Sequence, residues 1–413
     1  MKALILSAGK GSRLRPITRG IQKVMLPLGP RPILHHIIDA VKGAGITDIT
    51  LLVGHLEGQI KEYFGDGSKF GVRIKYISQK ERLGTAHAIG LAEFSEDFLV
   101  LNGDTLVSSD VLKTISSAHD SAATLALKKV KNPENYGVVK IRDGRVQKIF
   151  EKPKEHVSDL ASIGIYAYSP AIFDAIKKTK KSGRGEYEIT SSLELLIDSG
   201  DTVRGVEISG EWLDIGNPWN YLDANCEVLG KLNTDIKGTL EDSVVIKGEL
   251  ALGEGSVIKS GSYIEGGTSI GKNTTVGPNS YLRKSVTIGD DCHIGNGVEI
   301  KNSVILSGTN IPHLSYVGDS IIGMNCNLGA GTLVGNLRLD EKTVKMRIKG
   351  TLIDSGRRKL GCVIGNNTKI GLNVMINSGR KIGNDCKIGP GVVVNTDIPD
   401  GSLVVSRQDL QNR

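Results

Sequence analysis

Aromatic residues make up only 4% of the 413-residue chain, while glycine occurs 52 times. Glycine's ordinary share is about 7%, so the excess calls for an architecture that uses glycine repeatedly. Cysteine is sparse and scattered. Cys226, Cys292, Cys326, Cys362 and Cys386 include no Cys-x-x-Cys pair, which excludes the usual zinc and redox motifs. An odd, unclustered set fits a reducing cytoplasm. No apolar run approaches the ~20 residues that span a bilayer, so no membrane partner is expected. The N-terminus reads as a strand entering a loop, not as a signal peptide. Charge of one sign is also lacking: 52 Lys+Arg face 45 Asp+Glu, a net of +7 without a basic tail. Nucleic acid is therefore not expected, and small anionic substrates account for the balance. Hydrophobic residues, at 39%, suffice for real cores, and the length suggests two domains.

The glycine excess has a pattern. From Ile246 every sixth residue is aliphatic through Leu252, Ile258, Ile264, Ile270, Val276, Leu282, Ile288, Ile294, Ile300 and Leu306. A second run, in another phase, takes in Ile322, Leu328 and Val334, then Ile364 to Val394. Glycine often follows the aliphatic residue, as at Gly253, Gly271, Gly289 and Gly365. A period of six marks a parallel β-helix with three repeats per turn. The aliphatic side chains form an inner ladder, and glycine is expected at corners with unusual dihedrals. A β-sandwich would show a period of two instead. Residues 336–361 interrupt the repeat and read as a loop leaving the prism, rich in Lys and Arg.

The first half alternates instead. Strands are expected at Ala3–Ser7, Ile49–Val53, Arg73–Ser78 and Phe98–Leu101, with helices at Ile33–Ala44, Leu56–Phe64 and Thr85–Ala92. This is the pattern of an α/β domain with a mostly parallel sheet. A strand-richer stretch over 124–168 extends it, and Asn217–Gly230 reads as a connecting helix. The first strand runs into Ala8-Gly9-Lys10-Gly11-Ser12-Arg13, with Lys23 behind it. Glycines let phosphate approach backbone N–H groups, and the basic side chains supply counter-charge. The loop is neither a dinucleotide fingerprint nor a P-loop.

Gly9-x-Gly11-Ser12-Arg13-Leu14 with Lys23-x-x-x-Pro27 resembles the signature of the sugar-1-phosphate nucleotidylyltransferases. The resemblance implies that Ala8, Gly9 and Gly11 wrap the triphosphate and that Arg13 and Lys23 act on its charge. Asp104, in Leu101-Asn102-Gly103-Asp104, and Asp214, in Trp212-Leu213-Asp214, would share one Mg²⁺. Gln79, Gly84 and Thr85 fall where the base is read. Gly137, Glu151 and Lys152 fall on the sugar side, with Glu151 accepting from hydroxyls and Lys152 meeting the phosphate. Ser162 stands where N-acetylglucosamine enzymes usually carry Asn. Taken alone, Thr85 reads as a helix N-cap and Glu151 as a surface carboxylate.

The second half resembles the acetyltransferase half of bifunctional N-acetylglucosamine-1-phosphate uridylyltransferases, through Pro312-His313-Leu314-Ser315-Tyr316 and Asn327-Leu328-Gly329-Ala330. The likeness spans nearly the whole chain and is strongest to the archaeal-type bifunctional sugar-1-phosphate nucleotidylyltransferase/acetyltransferases. It implies an N-terminal Rossmann-like domain with a mixed sheet over 1–230 and a left-handed parallel β-helix over 240–413. His313 would be the general base of acetyl transfer. Arg283, Lys301 and Lys342 would hold the sugar phosphate, with Tyr316 and Asn327 positioning the sugar. Ala330, Asn336 and Arg407 would meet acetyl-CoA, although Leu372 and Pro390 replace the family's Ser and Ala there. Expected substrates are UTP or dTTP, N-acetylglucosamine 1-phosphate, and glucosamine or galactosamine 1-phosphate. A homotrimer or dimer of trimers is expected. The competing readings are a nucleotidylyltransferase whose β-helix serves only assembly, and a non-catalytic regulatory subunit. Retention of Arg13, Lys23, Asp104 and Asp214 argues against the latter.

Overall fold

The computed structural model describes residues 1–407, which form two compact units. One comprises residues 1–10 and 33–214; the other takes residues 11–32 together with everything from 215.

The first unit is built on a nine-stranded mixed sheet. Its order is Arg73–Ser78, Asp48–Val53, Lys2–Leu6, Phe98–Asn102, Leu160–Tyr168, Ala123–Lys129, Val203–Glu207, Arg145–Glu151 and Gly137–Arg142. The first four strands are parallel. Ala3, Leu4, Ile5 and Leu99 to Leu101 are buried, as strands covered on both faces should be. Leu160–Tyr168 then runs antiparallel and begins the mixed extension. Helices Ile33–Gly43, Glu57–Phe64 and Thr85–Gly90 lie where the periodicity puts them. Among the described residues, no helix is long and apolar enough to cross a membrane.

The second unit is a parallel β-helix: three parallel sheets of eight, nine and eight strands, each coil giving one strand to each sheet. Ile246 stands opposite Ile264, Ile264 opposite Leu282, and Leu282 opposite Ile300. Equivalent residues are thus 18 apart, three sixes per turn, and their side chains stack into one continuous core. Two consecutive coils are one residue shorter. Ile288 stands opposite Ile305, and Ile305 opposite Ile322. Ile305 therefore takes the place in the ladder to which the unbroken period assigns Leu306.

Except at Gly277, with φ +97°, the glycines after the aliphatic residues answer to space, not to unusual dihedrals. A Cβ on Gly365 would lie 2.6 Å from the backbone of Gly383 and Asn384 in the next coil. The left-handed corner sits two residues later, at Asn273, Asp291, Asn325, Asn367 and Asp385. Asn and Asp tolerate that region better than other side-chain-bearing residues.

The interruption at 336–361 is folded rather than a bare loop. Lys345–Ile348 pairs antiparallel with Thr351–Asp354, and Val344, Met346 and Ile348 turn one buried face inward at a spacing of two. The connecting helix, Pro218–Leu229, starts on a capping box between Asn217 and Asn220. Its buried Asn225 accepts hydrogen bonds from the Gly29 amide at 3.1 Å and the Thr287 hydroxyl at 2.7 Å. The same side chain donates to the Ser285 carbonyl. One amide thereby ties the helix both to the segment 11–32 and to the coils.

Candidate active sites

The strand Lys2–Leu6 delivers Ala8, which is buried, and Gly9, which is open to solvent. After Gly11 the chain folds into short 3₁₀ turns. The Leu14 amide and the Thr18 hydroxyl both donate to the Gly11 carbonyl, at 2.9 and 2.8 Å. Arg13 is exposed, whereas Lys23 is only 6% exposed. An unburied Lys23 would be the expectation for a purely ligand-facing lysine. Here its stem packs against Gly11, where a Cβ would lie 2.9 Å from Lys23 Cβ.

A two-stranded ribbon brings Asp104 and Asp214 to neighbouring positions. Thr105–Val107 pairs antiparallel with Trp212–Asp214, and Asp214 stands directly opposite Thr105. Asp104 is the next residue, so the two aspartates share one end of a two-stranded ribbon. Gly103 fixes that end by donating to the Leu6 carbonyl at 2.9 Å. Two carboxylates fit a Mg²⁺ that takes its remaining ligands from phosphate and water. Among the described residues, no cluster of three or more His, Cys, Asp or Glu side chains could cage a metal outright.

Gln79 is buried, with its amide 3.2 Å from His87 Nδ1. Gly84 has φ +119°, and any Cβ there would run into the backbone of Tyr187. That close approach lets the Tyr187 amide bond Leu83 O at 2.6 Å and the Ala86 amide bond Tyr187 O at 2.9 Å. Thr85 does not cap its own helix; its hydroxyl accepts from the Ile189 amide at 3.0 Å and so caps the helix Ile189–Asp198.

On the sugar side, Gly137 stands opposite both Glu151 and Ser162 on neighbouring strands. Glu151 is no free surface carboxylate. Arg184 holds one oxygen at 2.9 Å and the Thr190 hydroxyl donates to the other at 3.2 Å. Lys152, with its ammonium 3.8 Å from Glu151, follows in a left-handed turn at φ 45°. Ser162 is buried, 3.3 Å from the Tyr166 hydroxyl.

In the β-helix, Arg283 and Lys301 are register partners on adjacent coils. Arg283 pairs with Glu299 at 2.8 Å and lies over the Tyr281 ring, with its Nε buried and unbonded. Lys301 reaches Asp319 at 3.4 Å. Asp319 is the buried hub: Asn302 donates to it at 2.7 Å and Asn336 at 2.6 Å, while Asn336 also donates to the Tyr316 hydroxyl at 3.0 Å. Burial raises the Tyr316 phenol, keeping it protonated at neutral pH. Asp319, Asn302 and Glu299 thus join Arg283, Lys301, Tyr316 and Asn336 in one cluster, and the sequence motifs give them no role. The 17- and 18-residue offsets from Asn302 and Lys301 to Asp319 were the available signal.

His313 is exposed at the end of Asn310–His313, opposite Asn296. On the same sheet, Asn327 stands opposite Asn310 and Lys369. The Ala330 carbonyl accepts from the Asn373 amide at 2.8 Å. Lys342, on the folded excursion, and Arg407, beyond the last strand, are both exposed and lie outside the Asp319 network.

A nucleotidyl transferase family model matches residues 2–231, a GMPPB C-terminal domain model residues 264–378, and a model of six bacterial transferase hexapeptide repeats residues 361–396. "Bifunctional protein GlmU" of Methanocaldococcus jannaschii is 42% identical, over 99% of this chain and 98% of its own. The bifunctional sugar-1-phosphate nucleotidylyltransferase/acetyltransferase of Sulfurisphaera tokodaii is 42% identical over 92% of this chain and 94% of its own. Among solved structures, a putative glucose-1-phosphate thymidylyltransferase from Bacillus anthracis superposes with a TM-score of 0.51 at 36% identity. That match covers 55% of this chain and 94% of that one.

Proposed function

The chain belongs to the nucleotidyl transferase family, and over its full length to the bifunctional sugar-1-phosphate nucleotidylyltransferase/acetyltransferases; on that premise we propose that it makes a nucleotide sugar in two steps. Residues 240–413 acetylate glucosamine 1-phosphate or galactosamine 1-phosphate from acetyl-CoA. Residues 1–230 then join the product, N-acetylglucosamine 1-phosphate in the first case, to UTP or dTTP and release pyrophosphate. The work is cytoplasmic, and the assembly is a homotrimer or a dimer of trimers.

In the first step the Arg283 and Lys301 charges hold the sugar phosphate, and Tyr316 and Asn327 orient the ring. His313 takes a proton from the substrate ammonium, and an imidazole suits that exchange near neutrality. The freed amine attacks the thioester carbonyl, the amide bond forms, the C–S bond breaks, and coenzyme A leaves as the thiol. Ala330, Asn336 and Arg407 are the coenzyme A contacts, and Lys342 completes the phosphate set from a neighbouring subunit.

In the second step Ala8, Gly9 and Gly11 cradle the triphosphate, while Gln79, Gly84 and Thr85 read the base. Glu151, Gly137 and Lys152 orient the sugar phosphate. Its oxygen attacks the α-phosphorus, and the bond to pyrophosphate breaks. Arg13 and Lys23 stabilise the charge that develops there. Mg²⁺, held by Asp104 and Asp214, would neutralise the triphosphate when bound.

The observation that carries the reading is the register of Arg283 and Lys301, two cations one coil apart beside the Asp319–Asn336–Tyr316 network. Coenzyme A release from acetyl-CoA with each amino-sugar 1-phosphate tests it. His313→Ala should abolish that release and leave pyrophosphate release from an already acetylated sugar 1-phosphate intact. Normal acetyl transfer in a folded His313→Ala protein would remove the base role. A second reading, nucleotidyl transfer to glucose 1-phosphate with the β-helix serving assembly alone, is favoured by the buried Ser162. It predicts no coenzyme A release with any amino sugar.

A further inference from the structure

The segment that carries Arg13 is held by the far end of the chain. Along the 3₁₀ turns Ser12–Leu14 and Ile17–Arg19, the carbonyls of Arg13 and Arg15 accept from a side chain, and that of Pro16 accepts both from the Arg19 amide at 3.1 Å and from a side chain. The last coils supply these side chains. The Lys381 ammonium donates to Arg15 O at 3.0 Å and lies 3.5 Å from Arg13 O. Asn384 Nδ2 donates to Pro16 O at 3.4 Å. Arg19 forms an ion pair with Asp400 at 2.8 Å. The coil side of this contact is itself braced: Asp400 accepts from the Asn384 amide and Asn384 from the Asn366 amide, both at 2.8 Å. Burial pushes the Lys381 ammonium down to about 8, because desolvation disfavours the charged form, while Asp397 pulls the other way.

We propose that Lys381 is a positioning residue for nucleotidyl transfer: by binding the carbonyls on either side of Leu14 it fixes the backbone from which the Arg13 guanidinium reaches the triphosphate. The last coils of the β-helix then serve the first half's reaction besides their own. This rests on the role given to Arg13 above. The amine needs no transfer of its proton, and its contribution is orientation alone. Misplacing a reacting group by about 1 Å can cost on the order of 100-fold.

The test compares full-length wild type with Lys381→Met, which keeps the stem and removes the donor, and with Lys381→Arg, which restores one. Two readouts are taken. The first is hydrogen exchange across residues 11–20, whose Leu14 and Arg19 amides donate to Gly11 and Pro16 carbonyls. The second is kcat and KM for pyrophosphate release with UTP and with dTTP. The expected result for Lys381→Met is exchange at least tenfold faster over 11–20 and kcat down roughly 10- to 100-fold. KM for the nucleotide and coenzyme A release should stay within about threefold, and Lys381→Arg should recover part of the kcat. Unchanged exchange, or faster exchange with unchanged kcat, overturns the proposal. If Lys381→Met fails to fold, Asn384→Ser, which shortens a second anchor, takes its place under the same criteria. No pyrophosphate release by the wild type with either nucleotide would overturn the underlying function, a result distinct from a loss of the exchange effect alone.

Discussion

At the scale of single residues, Asp104 offers the sharpest separation of the two chemistries. It sits on the ribbon with Asp214, in a different unit from His313. Asp104→Ala should lower pyrophosphate release at least a hundredfold, on the order of 3 kcal/mol of transition-state stabilisation. Coenzyme A release should be unaffected, and an unchanged rate of pyrophosphate release would take the metal away from this carboxylate. A second residue bears on pH. The His119 ring is buried, with Nδ1 3.0 Å from the Thr124 hydroxyl and Nε2 3.6 Å from Asp97. Burial holds its pKa below the ordinary 6.5, while Asp97 and Asp120 oppose the shift. The unfolded chain therefore takes up the proton first as pH falls. The stability His119 confers is complete above pH ~6.5 and declines as pH drops through that value. The urea midpoint should fall between pH 7.5 and 5.5, and less so in His119→Gln; parallel curves would exclude this histidine. Motif residues such as Gly11, Arg13, Asp104 and His313 could be picked from the sequence because their chemistry travels with local neighbours. Arg184 and Lys381 could not, because each acts across a gap in sequence that only the fold closes.

At the scale of elements, the helix Pro218–Leu229 depends on one polar side chain. Asn225→Leu fits the volume but strands the Gly29 amide, the Thr287 hydroxyl and the Ser285 carbonyl in a buried place. Each stranded group costs about 1–3 kcal/mol. The thermal midpoint of Asn225→Leu should fall by several degrees, and a wild-type midpoint would show that the three groups find other partners. Elements were legible in proportion to the strength of their period. The coils could be counted from Ile246 onward because each adds an identical burial demand. The two 17-residue coils escaped because a residue lost at a corner leaves the local pattern looking intact. Val344, Met346 and Ile348 carry a strand's period of two, yet three alternating residues among many lysines and arginines are too few to stand out. The helix Ser109–Ser117 and the ribbon strand Thr105–Val107 are short and follow directly on Asp104, where loop and element cannot be told apart by pattern.

At the scale of the whole molecule, one sheet of the β-helix leaves an apolar stripe open. Leu333, Met375 and Val393 stand in register on successive coils, 48%, 46% and 46% exposed. If the chain trimerises through this face, Met375→Glu should shift the sedimentation profile from trimer to monomer, and an unshifted profile would place the interface elsewhere. The coils have one more effect, which concerns what such a molecule can become. Each coil advances the chain by one strand spacing, ~4.8 Å. Arg283 and Lys301 stand one such step apart regardless of the residues between them. The 17-residue coils keep the same step, since Lys301 still pairs with Gly318 across the shortened turn. Distances along the axis therefore come only in whole multiples. A charge can be moved by gaining or losing a coil, or altered in place by substitution, but no small insertion slides it halfway. The backbone spacing between any two charges carried on this sheet is therefore quantised, and a longer reach between them comes one coil at a time.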